Sequence, residues 1–225
     1  MFPCTLGELL SARAADSSAL ISFLDASGQL SASISYSQLY NESILYARRL
    51  LAAGLTQSNV VLASFPDHES HIRLFWACCL AGIIFCPLPS MHPDESRQLS
   101  LLQHLNSLFC SPTIFTLPEE ERRLRALVPS LIFLTDETLP KVPDNEISFI
   151  YHPSPNDPVC FMLTSGSTGN SKAVVLSHSN LLSSIRGKSL HHGTSFQSRF
   201  FNWIAFDHVA CVTEVHLHAL QVNAR

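Results

Sequence analysis

Between residues 60 and 135, short apolar runs alternate with helix-length amphipathic segments, and this alternation narrows the possible folds more than anything else in the chain. Residues 60–65, 83–87, 113–117 and 131–135 are brief and apolar, as strands buried on both faces are. Residues 70–81, 94–109 and 119–127 lie between them with helical character, the last of them strongly charged. Parallel strands need a crossover of about a dozen residues or more, usually a helix. The pattern therefore predicts an α/β fold: mostly parallel sheets flanked by helices.

Ahead of that region, residues 5–15 place Leu6, Leu9, Leu10 and Ala14 at helical spacing, with Thr5 set to cap and Glu8 to complete a capping box. Residues 19–24, a turn over 25–29 and a return strand holding Ile34 and Tyr36 read as a hairpin. Residues 37–53 gather Leu39, Ile44, Leu45, Ala47, Leu50 and Leu51 on one face, and Gly54 supplies a left-handed stop. The most apolar stretch, fifteen residues from Leu74 to Leu88, is shorter than the about twenty that a bilayer requires. It predicts a buried helix running into a buried strand. Five prolines between residues 139 and 158 mark a surface connection.

With 225 residues and 46% hydrophobic content the chain can bury a sizeable core. A formal net charge of −4 leaves no basic surplus for a phosphodiester backbone, which argues against nucleic acid as the main partner. Seven cysteines, irregularly spaced and without a C-x-x-C pair, fit a reducing, cytoplasmic setting and give structural zinc no support. The opening residues lack the basic segment, apolar core and cleavage site of a secretory leader. No membrane partner is expected.

The segment richest in chemistry begins at residue 159, where a short apolar strand runs into Thr164-Ser165-Gly166-Ser167-Thr168-Gly169-Asn170-Ser171-Lys172, followed by a second strand over 173–176. The glycines let the backbone turn and expose N–H groups, the hydroxyls donate to anionic oxygens, and Lys172 adds a mobile positive charge. The set suits the polyphosphate of a nucleotide, although the residues alone equally allow a flexible Ser/Gly/Thr turn. It departs from the common P-loop, whose lysine directly follows the second glycine and opens a helix.

Residues 164–172 resemble the signature phosphate loop of the adenylate-forming (AMP-binding) superfamily, which includes acyl-CoA synthetases, luciferases and the adenylation domains of nonribosomal peptide synthetases. The continuation through Ser177-His178-Ser179-Asn180-Leu181 is similar too, with Ser179 or Asn180 expected to cap the next helix and His178 to be structural. Ser35-Tyr36-Ser37-Gln38-Leu39 and Leu80-Ala81-Gly82-Ile83-Ile84-Phe85-Cys86-Pro87-Leu88 resemble two earlier motifs that serve packing. Downstream, Asn202-Trp203-Ile204-Ala205-Phe206-Asp207-His208-Val209 resembles the motif beside the reacting carboxylate. Phe206-Asp207 matches the Phe-Asp-x-Ser step that holds an α-amino group, but Val209 stands where serine is usual, and His208 matches instead the histidine of aryl and acyl ligases. The wording through Glu214-Val215-His216-Leu217-His218 is most similar to fungal peptide-synthetase-like adenylating enzymes and aryl-acid synthetases.

The resemblance implies ATP-dependent activation of an aryl, keto or amino acid as an acyl adenylate, then capture by coenzyme A or a carrier-domain phosphopantetheine thiol. It implies that Thr164, Ser165, Gly166, Ser167, Thr168, Gly169 and Lys172 hold the phosphates, that Asp207 and His208 face the acyl group, and that Lys172 and His208 are the catalytic candidates. It implies Mg²⁺ as cofactor, with the magnesium ligand, the C-terminal half and the small mobile domain outside residues 1–225. The chain thus reads as a partial N-terminal adenylation domain.

Three other readings compete. One is a noncatalytic remnant or nucleotide-binding module without turnover. Another is a metal cluster of His208, Glu214, His216 and His218, opposed by the different sides of a helix to which a His-x-His pair points. The third is a serine hydrolase built on Ser167, Asp207 and His216, opposed by the strand expected where a nucleophile elbow needs a helix. His191 and His192 are expected in an exposed loop.

Overall fold

The computed structural model describes residues 3–16, 19–90, 94–143, 151–164 and 171–224. Helix α1 (Leu6–Ala14) starts at Thr5, whose Oγ1 accepts the Glu8 amide hydrogen at 3.2 Å. The capping box expected there does not close: the Glu8 carboxylate reaches one residue further back, to the Cys4 amide at 2.6 Å. Strands β1 (Leu20–Leu24) and β2 (Leu30–Ser35) form the expected antiparallel hairpin. Tyr36, expected in the return strand, is instead the first residue of helix α2 (Tyr36–Ala52). Ser35 and Gln38 form a complete capping box there, and this pairing of two otherwise orphan amides fixes the helix start one residue earlier than the apolar spacing suggests.

Strands β3 (Val60–Ser64), β4 (Ile84–Pro87), β5 (Thr113–Thr116), β6 (Ile132–Leu134), β7 (Pro158–Leu163) and β8 (Ala173–Ser177) make one sheet in the order β6-β5-β3-β4-β7-β8. All neighbouring pairs are parallel except β7 and β8. Helices α3 (His68–Ala81), α4 (Glu95–Phe109) and α5 (Pro118–Leu127) are the crossovers. Alternate side chains of the strands feed two separate cores, as a pleated strand covered on both faces requires. Val61, Ala63, Phe85 and Phe115 pack with α1, α2 and α3. Leu62, Cys86, Ile114 and Phe133 pack with Leu102 and Leu105 of α4 and Leu124 of α5.

The apolar stretch resolves as expected into the end of α3, a turn and β4; no helix among the described residues is long and apolar enough to cross a membrane. Gly82 makes the turn at φ 72°, a left-handed cap, with the ring of Tyr151 directly over it. The connection expected on the surface begins inside the protein instead: Leu139 is buried, and Arg49 donates to the carbonyls of Asp136 and Pro140.

Helix α6 (His178–His192) follows β8 directly. Its cap is Ser177, in a reciprocal box with Asn180, and not Ser179 or Asn180; the sheet delivers Ser177 in extended conformation, which an N-cap needs. His191 and His192 form the exposed last turn of this helix rather than a loop, because Gly193 continues the chain left-handed only after them. After a loop comes a π-helical turn, Cys211–His216, and then helix α7 (Leu217–Val222). Arg13 of α1 donates to the carbonyls of Leu220 and Gln221 at 2.9 and 2.6 Å, holding the end of α7.

Candidate functional site

Strands β7 and β8 pair antiparallel from Pro158↔Ser177 to Leu163↔Ala173 and thereby bring Thr164 and Lys172 face to face. The Thr164 amide donates to the Lys172 carbonyl at 2.9 Å, and the Lys172 amide donates to Thr164 Oγ1 at 3.3 Å. Both residues are exposed, so hydroxyl and ammonium stand free to meet a ligand at the mouth of the bend. Ser165, Gly166, Ser167, Thr168 and Gly169 lie outside the described residues.

The position of this neck matters. It stands at the carboxyl end of β7, which runs parallel to β4, and ligands of open α/β sheets bind beyond the carboxyl ends of their strands. One residue not anticipated from the sequence reaches it: His104 Nε2 of α4 lies 2.8 Å from the Ser171 carbonyl oxygen. No local pattern signals a contact between residues 67 positions apart.

The 202–208 segment is mounted on the same edge, because α3 begins just after the carboxyl end of β3. His68 Nε2 bonds the Ile204 carbonyl at 2.8 Å, and Asn202 spans Ile204 from both sides while reaching Cys211 Sγ at 3.2 Å. Phe206 is buried, its ring stacked on His71 at 5.5 Å and edge-on to Phe85 at 5.9 Å. This aromatic plug sets Asp207, half-buried, and His208, exposed, beside it. Burial pushes the His71 pKa down, opposed by its bond to the Asp67 carbonyl and by the charges of Asp67 and Asp207. Burial pushes the Cys211 thiol up to about 11.

The four side chains weighed as metal ligands go to separate partners. His216 Nε2 accepts the Trp76 indole hydrogen at 2.9 Å, His218 Nε2 pairs with Thr194 Oγ1 at 2.8 Å, and Glu214 pairs with Lys188 at 2.9 Å. The hydrolase reading fails on the same geometry: His216 Nε2 is already engaged, and Ala173–Ser177 is a strand. The stretch expected to pack as a helix does so only after a π-helical turn, whose wider register carries the Leu217 amide back to the Val212 carbonyl. A groove of about 690 Å³ lies between the β1–β2 hairpin, the start of α3 and the 200–224 segment, but Thr164, Lys172, Asp207 and His208 do not line it.

A mostly parallel sheet whose carboxyl edge carries both this neck and the Phe206 segment has the fold of an adenylation domain. Residues 10–222 match the family described as AMP-binding enzyme, and the chain belongs to that family. It is 36% identical over 197 residues to microperfuranone synthase of Emericella nidulans, covering 83% of this chain and 20% of that protein. It is 37% identical over 198 residues to nonribosomal peptide synthetase acyN of Ascocoryne sarcoides, covering 86% and 21%. A solved adenylation domain of a keto acid-selecting NRPS module, bound to keto acyl adenylate, superimposes with a TM-score of 0.86 at 26% identity, over 99% of this chain and 41% of that one. The chain thus spans about a fifth of the length of the curated relatives it matches.

Proposed function

We propose that residues 1–225 form the N-terminal part of a unit that uses ATP to activate a carboxylic acid as an acyl adenylate. The observation that carries this reading is the mutual closure of Thr164 and Lys172 at the carboxyl edge of the sheet. In the reaction a carboxylate oxygen bonds to the α-phosphorus while the bond from that phosphorus to the β-phosphate oxygen breaks, and pyrophosphate leaves. Lys172 and the hydroxyls and amides of residues 164–169 offset the charge gathering on the departing pyrophosphate. Asp207 and His208 face the acid. Among the described residues no group of three or more His, Cys, Asp and Glu is placed to hold a metal, so the described part supplies no ligand set for magnesium and no step is routed through it.

The substrate class is an aryl, keto or amino acid, a reading supported by the relatives' names and by Val209 standing where an amino-acid site has serine. The adenylate would pass to a thiol, that of coenzyme A or of a carrier domain. Turnover needs transition-state charge shared among several preorganised donors, so the 225-residue chain alone is expected to bind nucleotide while releasing little pyrophosphate. Titration calorimetry with ATP tests the grip: Lys172→Ala should weaken binding about tenfold or more, the loss expected for a charged hydrogen bond. No binding at millimolar ATP, or equal binding by the variant, would remove the assignment.

A further inference from the structure

We propose that His104 is a positioning residue for Lys172, an inference that rests on the phosphate-gripping role given to Lys172 above. A carbonyl oxygen only accepts, so the 2.8 Å contact between His104 Nε2 and the Ser171 oxygen requires a hydrogen on that nitrogen. The Ser171 oxygen and the Lys172 nitrogen belong to one planar peptide unit. The other end of that plane is held as well, because the Lys172 N–H donates to Thr164 Oγ1 at 3.3 Å. Two bonds at opposite ends stop the plane from rotating, which sets the backbone angle at Lys172 and hence the direction in which its side chain leaves. The Thr164 amide fixes the next carbonyl at 2.9 Å.

His104 is itself rigidly mounted. Leu102 and Leu105 on either side of it are buried in the second core, and Phe109, one turn on, stacks against Phe161 of β7 at 5.3 Å and 14°. Helix α4 therefore reads the position of β7 and passes it to the residue before the lysine. A lysine carries its charge on a long flexible stem, so a fixed departure direction is what confines that charge to the mouth of the bend.

Four versions of the 225-residue chain decide the matter: His104→Phe, which keeps a ring and loses the donor; His104→Gln, which supplies an amide donor; Lys172→Ala; and His104→Phe with Lys172→Ala. Amide hydrogen exchange at Lys172 should quicken in His104→Phe and return in His104→Gln, with melting temperatures unchanged. ATP affinity should fall about 3- to 10-fold in His104→Phe, recover in His104→Gln, and show under about 2-fold further loss when His104→Phe is added to Lys172→Ala. Unchanged exchange at Lys172 overturns the proposal. So does an affinity loss as large without Lys172 as with it. If the parent chain binds no ATP, the nucleotide reading fails, and the exchange rates still decide whether His104 pins this peptide.

Discussion

His178 Nδ1 accepts the amide hydrogen of Leu6 at 3.1 Å, joining the first turn of α1 to the first residue of α6 across 172 positions. Accepting requires an unprotonated nitrogen. Burial supplies that condition, pushing the pKa down to about 4 against the opposing charges of Asp157 and Glu8. His216 is likewise pushed to about 4, by burial first and by His68 second.

Acid should therefore loosen the fold in a defined window. The unfolded chain protonates these rings near pH 6.5, well before the native state does, so it binds more protons between about 4 and 6.5. Stability that is full above about pH 6.5 is expected to fall as pH drops and to level off below about 4, by on the order of 1–3 kcal/mol for each ring. Urea midpoints across this range measure the loss, and His178→Gln with His216→Gln should flatten it. An unchanged slope in that double variant would put the loss on carboxylates instead.

Gly82 should tolerate no side chain. Its φ is 72°, and a Cβ there would stand 2.8 Å from Tyr151 Cζ, on a ring anchored by a 2.8 Å bond from its hydroxyl to Asp157. Gly82→Ala is expected to cost about 2–4 kcal/mol, the sum of a left-handed alanine and a steric clash. Adding Tyr151→Ala should remove the clash and leave the backbone part. Thermal melts of the three variants test this; equal stability of Gly82→Ala and the parent chain contradicts it.

Thr164 lends itself to a narrower test, since it is exposed and contributes little to the core. Thr164→Val removes the oxygen that receives the Lys172 amide hydrogen, and ATP affinity should drop about 3- to 10-fold. Thr164→Ser keeps that oxygen and should bind within about 2-fold of the parent. A serine variant as weak as valine would mean that the methyl group, not the hydroxyl, is what matters.

All seven cysteines are free thiols, and only Cys4 and Cys110 are exposed. Burial pushes the Cys160 thiol up to about 12 and holds Cys78, Cys79 and Cys86 above their ordinary range as well. A thiolate is the reactive species, so a disulfide-exchange reagent should titrate two thiols quickly and the remaining five only as the chain unfolds. A third fast thiol would show that a buried site opens without global unfolding.

Much of this architecture was legible because strands buried on both faces leave short apolar runs and crossover helices leave periodic ones. The hairpin around the phosphate bend was legible for the same reason. Helix starts were read less well where hydrogen bonds decide them: the Ser35–Gln38 and Ser177–Asn180 boxes place the first turns, and neither depends on the apolar spacing that was followed. The π-helical turn was invisible, since Val212 and Leu217 satisfy an apolar face in either register. Of the candidate site, Thr164 and Lys172 could be read from the chain, whereas His104 could not, because only the docking of α4 on β7 brings it to Ser171.

The π-helical turn also governs the bearing of everything after it. Such a turn holds one residue more than the α-helical path it replaces, and deleting that residue would swing the following helix by about 100°. Leu217 and Leu220 would rotate out of the core, and the carbonyls gripped by Arg13 would face elsewhere. One surplus residue thus acts as an angular spacer, making the orientation of α7 hostage to the length of the Cys211–His216 segment and not to its composition.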